Sequence, residues 1–333
     1  MTRTALYVFT LCAFAAPALA NDTMAELKTG GLVYVETSDV AMEQEDLYLS
    51  MTEVRVDYVF RNTSDKDVDS VIAFPMPDIQ GSPDGMIAIP DMEVDNFLGF
   101  AVQQDGKTIQ PALDQRVTAL GVDRTEELRK ANVPLLPYSD ATASAITQLS
   151  PDMVQDWIAK GLLFADTYDA GKGWTTDYRP LWTLHSAYWW KTRFAAGKPV
   201  RVSHRYKPSV GATVAMSFIS EGKPGYSYGE YRQRFCLDDA FMKTAAKLEK
   251  AAASGGPNYT EAWISYVLKT GANWGGSIGR FTLTIDKGDP KNFVSFCGEG
   301  VKKTGPTSFV LEKQDFTPEK DLDVLFLVAN PAN

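Results

Sequence analysis

The chain is poor in the residues that carry most recognisable chemistry. Its 333 residues include three cysteines and two histidines. The histidines, His185 and His204, stand in no HxH or HExxH spacing, so neither a structural zinc site nor a metalloprotease helix has support. Positive charge is also short. Against 42 Asp and Glu there are 33 Lys and Arg, a formal charge of −9, and a basic face for nucleic acid is not expected. Beyond the N-terminus no run reaches eighteen apolar residues, so no transmembrane segment is expected there. No motif for a cofactor is found, and none is expected to bind.

What the N-terminus has is a leader. Arg3 is its positive end, Ala5 to Ala16 is apolar, and Ala18-Leu19-Ala20 gives the small-x-small pattern of a signal-peptidase site. Residues 1–20 are read as a signal peptide cleaved before Asn21, and the mature chain as periplasmic or secreted. A retained anchor is the alternative, but the run is short for a bilayer and lacks a basic stop-transfer flank. Loss of Arg3 lowers the formal charge of −9 by one, to −10. Cys12 leaves with the leader. The remaining pair, Cys236 and Cys297, reads as one disulfide in an oxidising compartment, with free thiols or metal ligands as the competing reading.

The mature chain alternates. In EVRVDYVFR, Val54, Val56, Tyr58 and Phe60 share one side and Arg55, Asp57 and Arg61 the other, the period of a half-buried strand. Val68 to Phe74 is β-branched and apolar and stops at Pro75 and Pro77. Asn62 to Asp67 between them reads as the turn of a hairpin, with Asp69 facing water. Leu32–Val35, Leu47–Leu49, Met86–Ile89, Phe97–Gln103 and Lys107–Ile109 are further short strands. From Leu113 the pattern turns helical in DRTEELRKANV and in SPDMVQDWIAKGLL, where Ser150 is an N-cap and Pro151 the first helical residue. Later strands are expected at Val200–Tyr206, Val210–Ile219, Trp263–Leu268, Ser277–Ile285, Asn292–Phe296, Ser308–Lys313 and Leu322–Leu327, with one helix over 237–252. The fold class is therefore mainly β with helical insertions, as two antiparallel β-sandwich-like units. The expected division is an N-terminal unit at 21–112, a helical connector at 113–170 and a C-terminal unit at 171–333.

The segments NDTMAELKTGGLVY, EDLYLSMTEVRVDYVFRNTSDKDVDSVIAFPMPDI and WWKTRFAAGKPVRVSHRYKPSVG resemble an exported bacterial family catalogued as domain of unknown function 4424. The likeness covers most of the mature chain. It implies export, into the periplasm of a Gram-negative bacterium, and supplies no catalytic residues.

Candidate chemistry is sparse. Gly225-Tyr226-Ser227-Tyr228-Gly229 spells the G-x-S-x-G of a nucleophile elbow. The strand before it ends early, no amphipathic helix is evident after it, and both histidines lie upstream of it. A Gly/Tyr loop serving as a recognition surface is the better reading. His185, with Asp177 eight residues before it, is a candidate base within an aromatic cluster, and His204 is expected at the surface. Asp84, Asp91, Glu93 and Asp95, and Glu43, Glu45 and Asp46, are oxygen sets of the kind calcium takes, though without the spacing of a helix-loop-helix site. The aromatic residues are the least ordinary feature. Trp182, Trp189, Trp190, Tyr226 and Tyr228 form the candidate recognition surface, and adjacent Trp189 and Trp190 must point to opposite faces if they lie on a strand. These features favour a non-catalytic binding or envelope-associated module whose partner is an envelope protein or glycan. An envelope hydrolase or carbohydrate-active enzyme and a calcium-stabilised adhesion module are the alternatives.

Overall fold

The computed structural model describes residues 22–28, 31–83, 89–169 and 171–330. The expected leader, Asp84 and most of the strand expected at Met86–Ile89 lie outside the described residues. The chain is mainly β, with two large sheets, a smaller third sheet and helical insertions.

One large sheet has seven strands. Val122–Asp123, Ala112–Ala119, Thr183–Phe194, Val68–Pro75, Thr23–Lys28 and Gly31–Val35 lie side by side, and Ile79–Gln80 adds to the start of Thr183–Phe194. The other has eight: Lys302–Lys303, Ser308–Phe316, Ile278–Asp286, Val40–Ser50, Val54–Asn62, Pro199–Tyr206, Ala101–Gln104 and Lys107–Ile109. Its neighbours are antiparallel except Ile278–Asp286 beside Val40–Ser50, which run parallel. A four-stranded sheet orders Gly211–Ala212, Asn258–Tyr266, Leu322–Asn330 and Phe293–Phe296.

The expected alternation sets the packing. Val54, Val56, Tyr58 and Phe60 are all buried. Phe60 meets Phe194 of the seven-stranded sheet edge-on at 6.3 Å and Trp274 at 4.2 Å, so the two large sheets face each other across an aromatic layer. Tyr58 also reaches the four-stranded sheet, its hydroxyl 3.1 Å from that of Tyr266. In Leu322–Asn330 the side chains alternate between two cores. Val324 and Phe326 join the main cluster with Leu283 and Ile285, whereas Leu325 and Leu327 join a second cluster with Phe218, Phe235 and Ala245. That second cluster is roofed by helices Tyr228–Arg234 and Asp239–Ala253, the latter capped by Asp238, whose side chain accepts from Phe241 N–H. Period-two side chains on a strand buried on both faces account for this double use.

Two expectations on connectivity are corrected. Asn62 to Asp67 does not turn a hairpin. Val54–Asn62 lies in the eight-stranded sheet and Val68–Pro75 in the seven-stranded one, so the connection arches between sheets. A second arch, from Thr183–Phe194 to Pro199–Tyr206, lies beside it, because each strand of the first pairs with one of the second. Asn62 ties the arches together: its Nδ2 donates to Lys66 O at 2.7 Å and to Phe194 O at 2.8 Å. Asp69 is exposed, as expected. Nor do the large sheets respect a division into 21–112 and 171–333, since both draw strands from both segments. The 113–170 segment holds helices Thr125–Lys130, Asp140–Ile146 and Pro151–Ala159, but it opens on strand Ala112–Ala119.

The disulfide forms. Cys236 and Cys297 are bonded at 2.06 Å, fastening the segment between the two roof helices to the end of strand Phe293–Phe296. Among the described residues no helix is long and apolar enough to cross a membrane.

Candidate functional site on the outer face of the seven-stranded sheet

The inner face of the seven-stranded sheet is covered by the sandwich, and its outer face has a composition of its own. Strand registers place Ala187 beside Asp114, Trp189 beside Ala73, and Lys191 beside Val71, which is itself beside Ala25, with Tyr34 next across the sheet. Ala25, Ala73, Ala187 and Leu32 form a small buried cluster, and Tyr34, Val71 and Trp189 pack on it half-buried. Small side chains in the middle of a sheet leave a trough between the larger ones, and here two aromatic rings border it.

A cavity of about 410 Å³ opens at one end, lined in part by Tyr34, Asp78, Asp114, Arg116, Thr118 and His185. Its polar groups converge. His185 Nδ1 lies 2.8 Å from Asp78 Oδ1, and His185 Nε2 lies 2.9 Å from Thr118 Oγ1. The carboxylate can only accept from Nδ1–H, and in the neutral imidazole Nε2 is then the acceptor for the Thr118 hydroxyl. Arg116 grips Asp114 with Nε and Nη2, both at 3.2 Å, and also donates to Leu32 O at 3.3 Å. Burial pushes the Tyr34 phenol up to about 12, with the Asp114 carboxylate adding to the rise and Arg116 opposing it. At the other end a larger cavity of about 960 Å³ lies where strands Thr23–Lys28 and Val68–Pro75 part.

The structure divides the residues singled out from sequence. Trp189 and Trp190 do point to opposite faces, Trp189 outward and Trp190 into the core edge-on to His204 at 5.7 Å. Trp182 is fully buried, crossing Trp157 at 6.4 Å and donating from Nε1 to Leu135 O at 2.8 Å. Trp182 and Trp190 are therefore core residues and form no recognition surface. Tyr226 is 90% exposed, while Tyr228 packs against the roof-helix cluster. Neither joins the outer-face trough.

The histidines exchange their expected roles. His204, expected at the surface, is buried among Tyr58, Phe74, Phe100 and Trp190 at 4.9–5.7 Å, with Nε2 at 3.3 Å from the buried Asp22 carboxylate. His185 faces the polar cavity. Its partner is Asp78, because Asp177 sits on the separate hairpin Leu163–Asp169 and Trp174–Pro180, held by Tyr168 and Arg179.

Ser227 of the G-x-S-x-G stretch is buried. A short helix, Tyr228–Arg234, does follow it, but its hydroxyl lies 2.6 Å from that of Ser217, which bonds to buried Glu261. The Tyr231 hydroxyl completes the network at 3.0 Å from Glu261, and burial pushes that phenol up to about 12. Gly225 is demanded by packing, since a Cβ there would sit 2.4 Å from the Ser217 carbonyl oxygen. The acidic sets are occupied separately. Glu43 pairs with Arg61, Glu45 is buried, Asp46 faces Arg280, and Glu93 accepts from Asp140 N–H. Among the described residues no three metal-capable side chains come together.

The family model for a domain of unknown function, DUF4424, matches residues 20–325. The chain belongs to that family. A search of curated proteins finds no match. Among solved structures, a Legionella pneumophila protein described as a candidate nutrient-binding protein matches at 18% identity, over 88% of this chain and 68% of that one, with a TM-score of 0.45. Within this DUF4424 chain, sequence reasoning missed Tyr34, Asp78, Arg116 and Thr118. His185 and Asp78 are 107 positions apart, so no motif spacing could join them; only the pairing of Thr183–Phe194 with Ala112–Ala119 and Ile79–Gln80 does.

Proposed function

We propose that this protein is an exported, non-catalytic binding module of the cell envelope, which holds its ligand against the outer face of the seven-stranded sheet. The observation that carries this reading is the alanine-floored trough bordered by Trp189 and Tyr34, with a cavity at each end. Apolar floor, aromatic walls and a few convergent polar groups make up the usual lining of a ligand site. The leader at residues 1–20 and the oxidised Cys236–Cys297 pair support an extracytoplasmic location. The ligand class is an envelope protein segment or a glycan.

Native mass spectrometry of protein taken from its own envelope fraction is expected to show a bound adduct. Ala187→Trp, which fills the floor, should lose it, whereas Val214→Trp at a 92% exposed position should keep it. Retention of the adduct in both variants, or no adduct at all, counts against the reading.

A hydrolase is the second reading, and one observation favours it: the row Thr118, His185, Asp78. A hydroxyl, an imidazole and an orienting carboxylate are the parts of an activated nucleophile. In that role Thr118 Oγ1 would attack an ester carbonyl as His185 Nε2 takes its proton. His185 would give that proton to the departing alcohol, and water would then hydrolyse the acyl-threonine to free the acid and restore the hydroxyl. Turnover of simple aryl esters that Thr118→Val abolishes would establish it. Turnover indistinguishable between wild type and variant removes it.

A further inference from the structure

The larger cavity has a chemistry that the trough does not share. Strand Val68–Pro75 is paired along its whole length on one side, from Phe194↔Val68 to Ala187↔Pro75. On its other side, among the described residues, only Ala73, Ile72 and Val71 have partners, in Thr23, Met24 and Ala25. Beyond Ala25 the two strands part, and the 960 Å³ cleft opens between them. Asp69 and Ser70, with Val68 next along the strand, therefore present one backbone edge to the cleft with no strand beside it among the described residues. Such an edge offers N–H and C=O groups at the repeat of an extended chain, about 3.3 Å per residue. A strand edge left open in this way is a template for pairing with another chain.

We infer that this cleft receives an extended polypeptide segment of a partner protein, which adds as a strand along Val68–Ser70. The inference rests on the reading of the outer sheet face as the binding region and names the partner for one end of it. Backbone pairing fixes the class of ligand, because only a peptide matches alternating donors and acceptors along a strand edge. The cavity is at the upper end of the range for small-ligand pockets, roughly 300–1,000 Å³, which gives an extended segment room.

The walls set the side-chain preference. Residues of an added strand alternate between the two sides of the sheet. On the inner side lie Met24 and Val35, which suit apolar side chains. On the outer side Lys191, Arg193 and Asp69 line the cleft, and Glu26 lines it from the neighbouring strand. Arg193 is already held by Asp67 through Nη2 at 2.5 Å, while Lys191 has no ion pair among the described residues and is exposed. Asp69 stands opposite Arg193 in the strand pair, so Lys191 is the cation left for an acidic side chain on the incoming strand. The preferred segment thus alternates apolar and acidic residues.

The probe is a short peptide of alternating valine and glutamate, blocked at both ends and carrying a fluorophore, with binding read by anisotropy on the full mature chain. Saturable binding is expected. N-methylation of alternate backbone nitrogens in one register should abolish it, while the other register, whose N–H groups point away from the edge, should bind nearly as well. Lys191→Glu should weaken binding about tenfold, the scale of one charged hydrogen bond. The same variant should gain affinity for a valine–lysine peptide. Because Lys191 is exposed, thermal melting should not change, and this keeps a binding loss distinct from a folding defect. Equal binding of both N-methylated registers, no effect of charge reversal, or no binding of the peptide overturns the inference. If peptide binding fails while the native adduct is still lost in Ala187→Trp, the sheet face binds something else and the broader reading stands. If both fail, both fall.

Discussion

His204→Ala is expected to destabilise the protein by about 3–5 kcal/mol, the range for removing a large ring from a packed core and with it one partner of a buried polar group. His204 and Asp22 are both sealed from solvent, with Nε2 and Oδ2 3.3 Å apart. Truncation takes one partner from the buried Asp22 carboxylate and opens a hole among four aromatic rings. The effect carries a pH signature. Burial raises the Asp22 carboxyl above its ordinary value of 3.8, and His204 partly opposes the rise. Without His204 the carboxyl rises further. An acid whose folded value lies above its unfolded one favours the folded state below the unfolded value and loses that contribution as pH climbs through the folded value. The deficit of His204→Ala should therefore be largest at neutral pH and shrink as pH falls toward 3.8. Denaturant midpoints of wild type and variant across that interval measure it. A deficit below about 1 kcal/mol, or one that grows on acidification, contradicts a buried pair of this kind.

Loss of the disulfide is the second large effect. Cys236 and Cys297 are 61 residues apart, and closing a loop of that length restricts the unfolded chain by about 4 kcal/mol in the chain-entropy account. In a domain of this size that corresponds to a fall in melting temperature on the order of 10 °C. The double variant Cys236→Ser, Cys297→Ser and the wild type under reductant should melt together, below the oxidised wild type. The loosening should concentrate in the roof. Ser295 Oγ donates to Phe235 O at 2.9 Å, next to Cys236 and two residues from Cys297, so amide exchange in Tyr228–Arg234 and Phe293–Phe296 should rise most. Identical melting with and without reductant would mean the bond does not form.

Much of the fold was legible. Alternation in Val54–Phe60 fixed which side chains are buried, and Ser150, Pro151 and Asp238 marked helix starts that the structure keeps. The role of His204 was also within reach. Val200, Val202 and Tyr206 on the same strand are all buried, and period two puts His204 on their side. A titratable residue beside Arg205 suggests exposure, but the pattern places it inside. The strand Val40–Ser50 was shortened for a similar reason: its polar stretch AMEQED faces partners on either side, with Glu45 buried and Asp46 opposite Arg280.

By itself the sequence determined the fold class, the export leader as an expectation, the cysteine pairing and the opposed faces of Trp189 and Trp190. These depend on local periodicity, composition or a count of two. Only the tertiary structure decided that Asn62–Asp67 is an arch between sheets, because alternation on either side of a turn is the same whether the two strands pair with each other or with more distant ones. Only it brought Asp78 and Thr118 to His185, and left the edge of Val68–Ser70 without a strand partner among the described residues. Strand partners are chosen by packing between residues far apart in the chain, and the outer face of the seven-stranded sheet is made of those choices.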